Sequence, residues 1–148
     1  MSDKPESVQL QQLQDYRFEI RFADGLPALQ ADEPAPLGAG EGPSPVQLLA
    51  SAVGNCLSAS LLFALRKYKQ APEPIGCSVS AEVGRNAEGR LRVLAMQATL
   101  TMGVPADTLD HLDRVIGSFE DYCTVTQSVK AGIPVTVNVF DAHGLQLK

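Results

Sequence analysis

The sequence predicts an α+β fold of two layers, a mixed or antiparallel sheet packed on one long central helix, and three observations carry that prediction. A run with strict alternation, Tyr16 to Phe22, marks a half-buried strand. An apolar run opened by Ser44-Pro45 recurs at helical spacing to about Lys69. Two alternating stretches on either side of Asn86 to Gly89 mark a hairpin. The 148 residues, 45% of them apolar, fit a single domain able to bury a core. Residues 1–14 read as a flexible or peripheral segment of it.

The elements follow in order. In the first strand Tyr16, Phe18, Ile20 and Phe22 point one way and Arg17, Glu19 and Arg21 the other. Asp24-Gly25 turns the chain, and Leu26 to Gln30 returns as a second strand. Asp32 to Pro45 holds four prolines and three glycines and reads as a loop, with Gly38 to Gly42 a flexible connection. Ser44 then caps a helix that Pro45 opens. Leu48, Leu49, Ala52, Cys56, Ala59, Leu62, Phe63 and Leu65 recur along it, and Gly54 reads as a glycine of close packing. At about 25 residues, or roughly 37 Å, the helix is long for such a chain. Its wide apolar coverage calls for burial beyond one sheet face, most economically by a second copy.

After Pro72 and Pro74, Cys77, Val79, Ala81 and Val83 alternate as a strand, followed by a longer one from Leu91 to Met102. A second helix is expected from Pro105 or Ala106, with Leu109, Leu112, Ile116 and Phe119 as its apolar stripe. A short helix covers Cys123 to Lys130, and Val135, Val137 and Val139 alternate in a last strand. The order is β-β-α-β-β-α-α-β.

Composition excludes several classes of function. The net charge of −5 would repel a phosphate backbone, so no nucleic-acid partner is expected. The N-terminal stretch MSDKPESVQLQQLQ has no apolar core of a signal, and Gln47, Ser51, Asn55, Ser58 and Ser60 interrupt the longest apolar tract. A cytoplasmic protein with no membrane span is expected. GAGEG lacks the spacing and the Lys of a phosphate loop, and no serine sits in a nucleophile elbow. His111 and His143 have no cysteine partner at a metal-ligand spacing, so no metal and no cofactor are expected.

The three cysteines, Cys56, Cys77 and Cys123, are widely spaced and odd in number, which argues against a secreted disulfide scaffold. Cys77 alternates with Val79 and Val83 and reads as a core position. Cys56 and Cys123 each allow two readings, an inert buried thiol or a reactive one; for Cys123, helix N-terminal amides are expected to lower the pKa. Two thiols in one chain can reduce a peroxide without a cofactor. One becomes a sulfenic acid and the other condenses with it to a disulfide.

The segment DEPAPLGAGEGPSPVQLLASAVGNCLSASLLFALRK, Asp32 to Lys67, resembles the OsmC/Ohr family of osmotically inducible and organic-hydroperoxide-resistance proteins, in its OsmC-like branch. Tyr122-Cys123-Thr124-Val125, followed by Gly132-Ile133-Pro134-Val135, resembles the family's second cysteine segment and closing strand. The likeness covers about residues 16–140. It implies an intertwined homodimer with the cysteine-bearing helices at its centre. It also implies Cys56 as peroxidatic thiol and Cys123 as resolving thiol of a hydroperoxide reductase, a stress-response peroxidase recycled by a dithiol, in some members a lipoylated protein.

The sequence departs from the family's peroxidases in two linked features. They carry a Glu just after the helix-opening proline, facing an Arg that stabilises the thiolate. Here Val46 follows Pro45, Gln47 comes next, and no Arg lies between Phe22 and Leu65. Arg17 and Arg21 are the candidates for a thiolate-stabilising cation, reaching a site across a dimer. The alternative is an OsmC-like dimer with little peroxidase activity that binds a small hydrophobic or electrophilic ligand at its interface. Either reading expects a pocket built from Val46, Gln47, Leu49, Val53 and Leu57.

Overall fold

The computed structural model describes residues 4–148, and the chain divides at Leu48/Leu49 into two compact units. In the first unit β1 (Gln9–Gln14), β2 (Arg17–Arg21) and β3 (Leu29–Ala31) form an antiparallel sheet in that order. β2 is the alternating strand that the sequence predicts. β1 falls in the stretch expected to be flexible or peripheral; it pairs with β2 from Gln9 opposite Arg21 to Gln14 opposite Arg17, with every residue exposed. Its Leu10 and Leu13 are three apart, so no period of two is visible. The irregularity in pairing between Gln12 and Gln14 accounts for that spacing. Asp15 adopts a left-handed φ of 51° at the turn into β2.

Ile20 and Ala31 are buried in this unit, whereas Leu10, Leu13, Tyr16 and Phe22 stay exposed. The stretch expected to be a flexible connection is instead a closed loop organised on Asp32. That carboxylate is 3% exposed and accepts the backbone N–H groups of Glu33 at 2.8 Å, Ala39 at 3.2 Å and Glu41 at 3.1 Å. These amides hold its pKa below the ordinary value against the opposing effect of burial. Gly38 is required here, because a Cβ would strike the Glu33 carbonyl and the Asp32 carboxylate.

Helix α1 (Pro45–Lys67) starts where the sequence predicts. The Gln47 N–H donates to Ser44 Oγ at 3.2 Å, and the Ser44 N–H donates to Gln47 Oε1 at 2.9 Å. This is a reciprocal capping box. From Leu49 onward the helix belongs to the second unit, where Val53, Leu57, Leu61 and Leu65 have no exposed surface. They pack in a core with Met96, Ala98, Leu100, Phe119, Cys123 and Val139.

The sheet of this unit has the order β4 (Gly76–Arg85), β5 (Leu91–Thr101), β6 (Val135–Phe140). β4 and β5 form the predicted hairpin, and β6 joins β5 in parallel, Met96 opposite Val135. The expectation of one sheet is therefore corrected: two three-stranded sheets pair within themselves.

The expected second helix is broken. Ala106–Thr108 is a 3-10 turn, His111 takes a left-handed φ of 60°, and α2 runs only over Leu112–Ser118. A further 3-10 segment, Phe119–Tyr122, leads into α3 (Thr124–Lys130). The apolar stripe survives the break: Leu109, Ile116 and Phe119 are buried.

Candidate functional site

Cys56 lies three turns into α1, half-buried against the core of the second unit. Cys123 ends the Phe119–Tyr122 segment and caps α3, with no exposed surface. The fold brings these two residues to one core, where Cys56 packs against the cluster that contains Cys123 and lies near enough to bear on the Cys123 thiol's titration. Both are free thiols. The pair thus joins one half-buried cysteine and one fully buried one.

Burial pushes the Cys123 pKa up, and the neighbouring Cys56 adds to that. The expectation of a lowered value is corrected. The Thr126 hydroxyl and backbone amide do favour the thiolate, but desolvation outweighs them. Cys123 Sγ donates to Thr126 Oγ1 at 3.0 Å, and Thr126 also has no exposed surface.

The segment carrying Cys123 is tied down from several directions. The Glu120 carbonyl accepts the Cys123 N–H at 3.0 Å and Gln127 Nε2 at 2.9 Å. The Glu120 carboxylate, itself 8% exposed, pairs with Lys130 Nζ at 3.1 Å and with Lys148. Burial works to raise the Glu120 pKa, but the two ammonium groups prevail and hold it below the ordinary value.

Cys77 is exposed rather than in the core. Its sulfur nevertheless lies against α1, where a Cβ built on Gly54 would sit 3.4 Å from it. Desolvation raises this thiol's pKa, against a hydrogen bond from Ser58.

The other predicted site residues are dispersed in role. Val53 and Leu57 are fully buried in the core and Leu49 packs beside it, while Gln47 serves the helix cap and Val46 is half-buried. In the first unit Arg17 pairs with Glu41 and, through Nη2, with Gln14 Oε1 at 3.2 Å; its Nε is buried without a partner. Arg21 Nε pairs with Glu19 at 2.6 Å. Arg17, Asp32 and Glu41 line an open cleft of about 370 Å³ with Tyr16 and Leu37. The carboxylate facing Arg17 thus comes from Glu41, which the sequence reading did not single out.

Thr126 and Glu120 also escaped sequence reasoning. Thr126 had a usable signal, because a side chain three residues after a helix cap is placed to meet it. Glu120 had none, since Lys148 reaches it only through the fold. Among the described residues no cluster of three His, Cys, Asp or Glu side chains is disposed to hold a metal.

Residues 38–138 match the model of a protein family described as OsmC-like protein. No curated protein sequence matches the chain. Among solved structures, an OsmC-like protein from Mycoplasma pneumoniae is 14% identical, with a TM-score of 0.78 over 96% of this chain and 100% of the other. An OsmC-like protein of unknown function from Vibrio cholerae is 17% identical, with a TM-score of 0.77 over 93% and 99%. The organic hydroperoxide resistance protein OhrB of Bacillus subtilis is 12% identical, with a TM-score of 0.71 over 93% and 99%. At these identities the likeness is one of fold.

Proposed function

The chain belongs to the OsmC-like family, and from that premise we propose that it reduces organic hydroperoxides or hydrogen peroxide through Cys56, with Cys123 as the resolving thiol. The observation that carries this reading is the half-buried Cys56 packed against the same core as the fully buried Cys123, near enough to influence that thiol. In the first step Cys56 sulfur attacks the peroxide, an S–O bond forms as the O–O bond breaks, and an alcohol or water leaves. Sulfur is oxidised by two electrons and the peroxide reduced by two. In the second step Cys123 displaces hydroxide from the Cys56 sulfenic acid, giving a disulfide and water. A dithiol then returns both sulfurs to thiols, so the cycle needs no cofactor. The reducing cytoplasm suits such a cycle, because the exposed Cys77 also stays free there.

The active form in this reading is a homodimer. Ala52, Asn55, Ala59 and Phe63 form an exposed face of α1 at spacings of three and four, with Phe63 60% exposed. A second copy of the same helix is the partner that this face, two alanines and an asparagine ending on an exposed Phe63, fits. The likeness in fold to an organic hydroperoxide resistance protein of Bacillus subtilis supports the substrate class.

A second reading has a specific observation in its favour. Arg17 and Arg21 are both neutralised by carboxylates, and position 46 is Val. An OsmC-like dimer that binds a small apolar or electrophilic molecule and turns peroxide over poorly would have such features.

Stopped-flow mixing with tert-butyl hydroperoxide, with dithiothreitol as reductant, separates the two. Rapid consumption abolished by Cys56→Ser, with Cys123→Ser leaving a Cys56 sulfenic acid that only the added dithiol clears, is the expected result. Consumption that persists in Cys56→Ser, or none in the unmodified protein, overturns the peroxidase reading.

A further inference from the structure

We propose that Thr126 is a further catalytic residue, its hydroxyl holding the Cys123 sulfur and stabilising it as it attacks Cys56. The inference rests on the reading of Cys123 as the resolving thiol and adds the group that makes resolution fast.

The geometry is specific. Thr126 Oγ1 lies 3.0 Å from Cys123 Sγ, and neither residue has any exposed surface. Water therefore does not solvate this sulfur from outside, and the hydroxyl stands where water would. Cys123 is the cap of α3 and Thr126 is its third residue, so the backbone of the first turn sets their separation. A β-branched side chain in a helix has few χ1 states, which holds the hydroxyl ready before reaction.

The second step demands such a group. A buried thiol must develop negative charge while it forms the S–S bond, and burial opposes that charge. In the resting pair the Cys123 S–H donates to Thr126 Oγ1. As the S–S bond forms and the S–O bond of the Cys56 sulfenic acid breaks, the S–H proton passes to the departing hydroxide, giving water. The Thr126 hydroxyl turns to donate to the sulfur while its charge is largest, and a hydrogen bond to an ionised partner is the stronger kind.

The test uses the full chain in a Cys77→Ser background, with two oxidants. Tert-butyl hydroperoxide is followed by dimedone trapping of the Cys56 sulfenic acid and by mass spectrometry of the disulfide. 2,2′-Dithiodipyridine releases one thiopyridone on attack at Cys56 and a second when Cys123 closes the disulfide, so closure is read without any peroxide chemistry. With Thr126→Val the first event is expected at the unmodified rate and closure is slowed about tenfold with either oxidant. Cys56 sulfinic acid then accumulates under excess hydroperoxide. Thr126→Ser, which keeps the hydroxyl, restores closure to within about threefold. Closure at the unmodified rate in Thr126→Val overturns the proposal, as does a serine variant as slow as the valine one. A Thr126→Val defect with the disulfide probe, in a protein that consumes no hydroperoxide, sustains the role of Thr126 and overturns the peroxidase reading.

Discussion

Glu120 is a nearly buried carboxylate held by two lysines, one at the end of α3 and one at Lys148. Replacing it with Gln leaves both ammonium groups without their counter-charge, and the expected loss is about 1–3 kcal/mol at neutral pH, read from the urea midpoint. The pH dependence has a definite sign. Its folded pKa is depressed from 4.5, so its contribution is fully present above that value and disappears as pH falls through the lower folded value. The deficit of Glu120→Gln is therefore constant from pH 7 to about 5 and narrows below about 4.5. Asp32 and Asp141, also depressed by backbone amides, lose their contributions in the same acid range in both proteins. Sequence could place Cys123 and Thr126 three apart but could not join Glu120 to Lys148. That pair depends on the chain returning along β6.

At the scale of an element, α1 shows what sequence makes legible and what it does not. The Ser44-Pro45 start and the close-packed glycine at 54 are local properties and are found as expected, whereas the buried row is Val53, Leu57, Leu61 and Leu65 and the predicted Ala52, Ala59 and Phe63 are exposed. Gly54 is buried where α1 meets β4, and an added Cβ would come within 2.8 Å of Val79 Cγ2. Gly54→Ala should gain about 1 kcal/mol of helix propensity yet lose about 1–3 kcal/mol to overpacking. The expected net change is a lower Tm by calorimetry, with a larger fall for Gly54→Val. The elements read less well were those decided by pairing. β1 hides behind its bulge, and the predicted helix after Pro105 breaks at His111, whose left-handed backbone no apolar period announces. Cys77 alternates correctly with Val79, but alternation names a face without saying whether that face is covered.

For the molecule as a whole, the exposed Ala52, Asn55, Ala59 and Phe63 are best tested by size. Light scattering during gel filtration should give twice the 15.8 kDa chain mass for the unmodified protein. Ala59→Glu, which buries a charge if the faces meet, should give the single chain mass at micromolar concentration. A dimer unaffected by that charge would place the interface elsewhere. The first unit points the same way: it buries Ile20 and Ala31 but leaves Tyr16 and Phe22 exposed, a thin core for a three-stranded sheet. The family was legible in the two cysteine segments, yet the meeting of those segments was not, since 56 and 123 approach only through the packing of α1 and the β5–β6 connection. That connection has a consequence in time. Because β6 runs parallel to β5, Cys123 rides on a crossover closed by the last strand of the chain. During synthesis Cys56 emerges well before its mate can dock. An oxidant met on the ribosome would find a solitary sulfur, and rescue of that nascent chain would fall to thiols from outside it.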